Sequence, residues 1–189
     1  MSLRIACDLD GTLADMESAL QREAERIFGN DVDARPLDAR ERSRLWSHLR
    51  EIDNFWETLP EIETGAVRRL ADIASAQGWE VFFITRRPDT AGDTVQVQSQ
   101  RWLEKYGFER PRVDVVSGSR GSMAASLSLD AVIDDSPENC VDVMADSRAT
   151  PLLVWRDAPD RLPPGLSRLP IHVVSSLAEA IEYLTRPAA

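Results

Sequence analysis

At 189 residues the chain suits one domain, or a core domain with a small insert, and its 43% apolar content is that of a globular protein rather than a disordered one. A formal charge of −10 argues against a long nucleic acid as partner, yet leaves room for a single phosphate held by local cations. No apolar run has the length of a membrane span and the N-terminus has no signal-peptide core, so a cytoplasmic protein with no membrane partner is expected.

The run Leu3-Arg4-Ile5-Ala6-Cys7 reads as a first strand, and it ends in Asp8-Leu9-Asp10-Gly11-Thr12. Two aspartates at i and i+2 stand on one side of an extended chain, and the glycine lets the backbone turn beyond them. Glu17 to Phe28 has helical spacing and is expected to stop at Gly29-Asn30-Asp31; a second helix is expected from Leu37 to about Ile52, with Leu45, Trp46, Leu49 and Ile52 as its apolar face. Phe55-Trp56 precede a turn broken at Pro60. Residues 16–62 therefore read as a small α-helical cap inserted after the first strand, with 1–15 and 63–189 forming the α/β core.

From Gly65 onward strands and helices alternate. A helix closed by Gly78 leads into Glu80 to Thr85, an apolar run suited to a parallel strand buried on both faces. A helix from about Thr94 to Tyr106 follows, then a strand at Val113 to Ser117, a loop at Gly118 to Gly121 and a short helix around Ser122 to Ser128. A strand from Leu129 to Asp134 ends in Asp134-Asp135-Ser136-Pro137, where Ser and Pro are in the order of a helix N-cap and N1. Pro151 to Trp155, a short strand at Ile171 to Val174 and a helix from Ser176 to Leu184 complete the pattern. This alternation predicts a three-layer α/β sandwich with a central parallel, Rossmann-like sheet.

The chemistry-bearing residues fall at strand ends: Asp8 and Asp10 after the first strand, Thr85 after the second, Asp134 and Asp135 after the fourth. In a parallel sheet these ends share one edge, where ligands bind in open α/β folds. Carboxylates so close repel one another, and a set of hard oxygen ligands suits Mg²⁺. Cys7 and Cys140 show neither metal spacing nor a disulfide framework, and neither has an arginine six positions on, as a thiolate phosphatase loop requires.

These motifs, Asp-x-Asp-Gly-Thr at 8–12, the Thr85 hydroxyl and Asp134-Asp135, resemble those of the haloacid-dehalogenase-like (HAD) phosphatases, in the same order. More narrowly, Leu13-Ala14-Asp15, Phe55-Trp56 with Leu59-Pro60, Val81 to Thr85 and Gln100-Arg101-Trp102 resemble the 5'(3')-deoxyribonucleotidase branch. The resemblance implies a Mg²⁺-dependent phosphomonoesterase in which Asp8 attacks phosphorus to form an aspartyl-phosphate and Asp10 handles the proton. Mg²⁺ would be held by Asp8, the Asp10 carbonyl and Asp134, with Asp135 close by, while Thr85 and backbone amides bind phosphoryl oxygens. The expected partner is a small phosphorylated substrate such as a (deoxy)nucleoside monophosphate; an exposed cap face is a candidate for homodimerisation.

Two places depart from the family pattern. Arg120 stands where a lysine normally bridges nucleophile and phosphoryl group; arginine keeps the charge and grips phosphate through a fork, but its head is larger. A phosphate- or nucleotide-binding module without turnover is the alternative this substitution raises. Arg86-Arg87 replace the branch's usual Ser-Pro, and Arg86 is a candidate substrate contact. Phe55 and Trp56 are candidates to stack on a base or to pack the cap onto the core, and Trp46 is expected in the cap's own core.

Overall fold

The structure, a computed structural model, describes residues 2–29 and 36–186. Asn30 and Asp31, expected to help stop the first helix, lie outside the described residues. Six strands, β1 (Arg4–Cys7), β2 (Glu80–Thr85), β3 (Arg112–Val115), β4 (Ala131–Asp134), β5 (Thr150–Val154) and β6 (His172–Val174), form one all-parallel sheet in the order β3-β2-β1-β4-β5-β6. Helices α1 (Met16–Phe28), α2 (Ala39–Glu51), α3 (Ala66–Gln77), α4 (Val95–Lys105), α5 (Arg120–Ser126), α6 (Pro137–Asp146) and α7 (Leu177–Thr185) complete the α/β layers. None of the described helices is long and apolar enough to cross a membrane.

The sheet is wound outward in both directions from β1 and β4, so its topological switch point lies between these two strands. The central strands are apolar runs because both faces are covered: β4 is buried throughout and β2 after its first residue. The edge strand β6 is exposed at two of its three residues. In register, Cys7 sits beside Ile133, and the Asp8 amide donates to the Ile133 carbonyl at 2.9 Å. The carboxylates that follow β1 and β4 are thereby brought side by side.

Between β1 and α3 the chain leaves the sheet to form α1, α2 and a 3-10 turn at Phe55–Thr58. Asp15 caps α1 by accepting from the Ser18 amide, and Asp38 with Glu41 forms a capping box on α2. The outgoing and returning connections run together: Ala14 bridges Glu61, and the Asp15 amide donates to the Pro60 carbonyl. Leu45 and Leu49 are buried in the same apolar cluster as Leu9, Leu59 and Val67, so the helical pair shares its core with the sheet layer beneath.

One helix begins earlier than its composition indicates. The segment Gly118 to Gly121, expected as a loop, contains the start of α5: the Ser119 hydroxyl accepts from the Gly121 and Ser122 amides, and Arg120 is the first helical residue. Gly121 lacks a side chain where α5 crosses α6; a Cβ there would collide with the Asp142 carbonyl. Both features place Arg120 directly at the carboxyl edge of the sheet.

Candidate active site

Asp8 and Asp134 are buried at the switch point, and a single cation joins them. Arg120 Nη2 donates to Asp8 Oδ1 at 2.5 Å, and Arg120 Nε lies 3.4 Å from Asp134 Oδ2. Asp134 also accepts from the Ser136 amide and from Asn139 Nδ2 through both oxygens, so α6 holds this carboxylate in place with its first turn. Burial lifts Asp8 well above the usual carboxylate range, Asp134 adds to the lift, and Arg120 offsets part of it. Asp134 is raised by burial, and Asp135 is pushed up to about 6, first by burial and then by Asp134.

Gly11 makes this crowding feasible. Its φ of 84° lies in the left-handed region, and a Cβ at this position would collide with the Asp135 carboxylate. The loop is tightened further by hydrogen bonds from the Leu13 and Ala14 amides to the Leu9 carbonyl. Arg156, just beyond β5, donates to the carbonyls of Gly11 and Thr12 and pairs with Glu63 at 2.6 Å, strapping the loop from the far side. Neither Arg156 nor Arg87 has a sequence signal comparable to Asp-x-Asp-Gly-Thr, because an arginine's reach hides its destination.

Arg87 turns inward while Arg86 does not. The Arg87 side chain is 0% exposed; its Nε and Nη2 donate to the two oxygens of Asp10 at 2.8 and 2.6 Å, and Nη1 donates to Ser99 Oγ. Arg86, the expected substrate contact, is exposed and donates to the Gly118 carbonyl. Phe55 and Trp56 are 1% and 0% exposed, which corrects their reading as base-stacking residues: neither offers a free ring face. Trp56 lies against the Arg87 guanidinium at 4.8 Å and donates from Nε1 to the Pro88 carbonyl.

A cavity of about 540 Å³ opens beside Asp10, Gly11 and Asp135 and runs between α1 and α2. Its walls include Met16, Leu20, Leu37, Leu45 and Trp46, and Trp46 borders this space while packing, partly buried, against the apolar core that holds Leu45 and Leu49. The volume is in the range that holds a small-molecule ligand.

The buried side-chain polar atoms that lack a hydrogen-bond partner, among the described residues, are Thr12 Oγ1, Thr85 Oγ1, Arg120 Nε and Arg120 Nη1. Such groups are rare in folded proteins and call for an acceptor. Asp8, Asp10, Asp134 and Asp135 face two guanidiniums that touch them, those of Arg87 and Arg120, which leaves an excess of carboxylates. The described residues gather no ready-made cage of three metal-binding side chains. Mg²⁺ nevertheless fits the donor set: it takes one or two carboxylates, water and substrate oxygen rather than an all-protein cage.

No protein-family model matches the chain, and no curated protein matches it. Solved structures do match. A HAD family hydrolase from Deinococcus radiodurans, with bound phosphate and sodium, aligns with a TM-score of 0.61 at 18% identity, covering 97% of this chain and 95% of that one. A haloacid dehalogenase-like hydrolase from Xanthomonas campestris gives 0.58 at 16% identity over 97% and 94% of the two chains. A D,D-heptose 1,7-bisphosphate phosphatase from Burkholderia thailandensis gives 0.57 at 13% identity over 98% and 100%. At these identities the likeness establishes the fold: the chain has the architecture of the HAD hydrolases over nearly its whole length.

Proposed function

We propose that the protein is a Mg²⁺-dependent phosphomonoesterase working through an aspartyl-phosphate on Asp8. The observation that carries this reading is a pair of buried donors without a partner, Thr85 Oγ1 at the end of β2 and Arg120 Nη1 on the arginine that pairs with the buried Asp8. The phosphoryl oxygens of a substrate supply the acceptors those donors lack. Bound Mg²⁺, held by Asp8, the Asp10 carbonyl and Asp134 with Asp135 beside them, would supply positive charge between an anionic nucleophile and an anionic substrate.

Asp8 attacks phosphorus in line, and the ester oxygen departs with a proton from Asp10. Asp10 then takes a proton from the water that cleaves the aspartyl-phosphate. Arg120 neutralises charge on Asp8 and directs its remaining donor at the phosphoryl group. The leaving group occupies the cavity between α1 and α2, which acts as the cap. Its apolar walls and Trp46 favour a leaving group with a flat ring, as in a (deoxy)nucleoside monophosphate.

Purified protein is expected to release phosphate from 4-nitrophenyl phosphate in the presence of Mg²⁺, and Asp8→Asn to abolish release. Turnover that survives in Asp8→Asn rules out the aspartyl-phosphate route. One observation favours a second reading, a phosphate-binding module without turnover: Arg120 already engages the nucleophile and pairs with Asp134. That reading predicts a Mg²⁺-dependent thermal shift with inorganic phosphate and no release from any phosphorylated metabolite. Arg120→Lys separates the two, because a large gain in turnover shows that arginine had been limiting.

A further inference from the structure

Asp10 has a partner that the phosphatase reading does not require. Arg87 grips both oxygens of Asp10, fork to fork, and such a bidentate pair fixes the plane of the carboxylate as well as its position. The third side of the guanidinium is taken by Ser99 Oγ on α4. Its face lies against Trp56, itself anchored by Pro88 and by the Gln98 side chain, which accepts from the Trp56 amide. Arg87 is thus held on every side by α4, the loop after β2 and the 3-10 turn. Asp10 keeps a side chain only 13% exposed, and that edge opens on the cavity between α1 and α2.

We propose that Arg87 is a positioning residue for proton transfer. It clamps the Asp10 carboxyl so that a lone-pair site left for the proton faces the departing ester oxygen while protonated and, once that proton is given up, accepts the proton of the attacking water. Each carboxylate oxygen has two lone-pair sites, and the clamp uses one on each, so a site for the proton remains. Arg87 also follows Thr85 by two residues, so one short loop fixes both the phosphoryl-binding hydroxyl and the orientation of the acid. Without the clamp the carboxylate rotates, and the transfer loses the alignment on which an intramolecular step depends.

This inference rests on the phosphatase reading and is tested by leaving-group dependence. Phenol is a much poorer leaving group than 4-nitrophenol, so cleavage of phenyl phosphate needs the proton from Asp10 far more than cleavage of 4-nitrophenyl phosphate. Arg87→Gln is expected to lower kcat/KM for phenyl phosphate by about tenfold more than for 4-nitrophenyl phosphate, within the range general-acid catalysis supplies. Arg87→Lys keeps the charge without the fork and is expected to fall between wild type and Arg87→Gln. It also decides the matter if Arg87→Gln fails to fold. In an Asp10→Asn background, Arg87→Lys should add no further discrimination between the esters.

Equal losses on both esters in the folded Arg87 variants would make Arg87 a structural residue only and overturn the proposal. A wild type that cleaves neither ester would sink the phosphatase reading, and the clamp's catalytic role with it. A wild type that cleaves both, with variants showing an unchanged ratio, would sink the clamp alone.

Discussion

The strand-end edge and the helical pair of α1 and α2 are built on opposite terms. At the edge, Asp8 and Asp134 are buried together, their carboxyls are pushed up by burial, and donors on Thr85 and Arg120 have no acceptor. In the helical pair, Leu45 and Leu49 are buried among apolar neighbours, and both helix starts are capped by their own aspartates. The pair is locally satisfied, whereas the edge leaves buried donors without an acceptor. The fold carries unsatisfied groups where its rigid strands end and balances them with ordinary packing elsewhere.

Substitutions at the edge should therefore cost turnover and those in the helical pair should cost stability. The largest effect expected is Asp8→Asn, which removes the proposed nucleophile and should lower kcat by about a thousandfold or more, read by phosphate release. Its metal-free melting temperature should rise, because a buried, repelled carboxylate has been replaced by a neutral amide. A fall in melting temperature would show that the pairing with Arg120 outweighs desolvation. In the helical pair, Leu49→Ala should cost about 2–5 kcal/mol of unfolding free energy by denaturant titration. Chemistry on 4-nitrophenyl phosphate, normalised to folded protein, should change far less than in Asp8→Asn.

The strand-end edge also responds to pH. Asp135 is raised from 3.8 to about 6 in the folded protein, so its neutral form is the one folding favours. Its contribution is fully present below 3.8 and is lost as pH rises through about 6. The melting temperature of metal-free Asp135→Asn should accordingly gain on wild type across that window, and addition of Mg²⁺ should narrow the gap by stabilising the wild type. The smallest effect expected is Asp38→Ala, which breaks the capping box of α2 far from the carboxylates. A loss of about 1 kcal/mol by thermal or chemical denaturation, with kcat unaltered, would complete the contrast.

The parallel α/β alternation was legible because the apolar runs at β1, β2 and β4 have no polar face, and because Ser136-Pro137 marks a helix start by local chemistry. The acidic motifs were legible for a related reason: a residue at a strand end needs only the strand's direction to be placed. Where long side chains or rotations about a helix decide, local sequence pattern does not place a residue. Leu45 is buried in the apolar core while the adjacent Trp46, about 100° away around α2, packs only partly buried against it, and both border the cavity. Arg86 and Arg87 are chemically identical neighbours that end on opposite sides of the backbone, one on the Gly118 carbonyl and one on Asp10.

From its own pattern, then, the chain sets the order of strands and helices and the sheet edge where Asp8, Asp10, Thr85, Asp134 and Asp135 fall. These follow from periodicity and local propensity, which act over a few residues. Only the tertiary structure decided that Arg87 clamps Asp10, that Arg156 straps the Gly11 loop, and that Phe55 and Trp56 are sealed while Trp46 borders the cavity. Those outcomes depend on side chains from distant segments competing for one space, and close packing admits a single solution that no local pattern encodes.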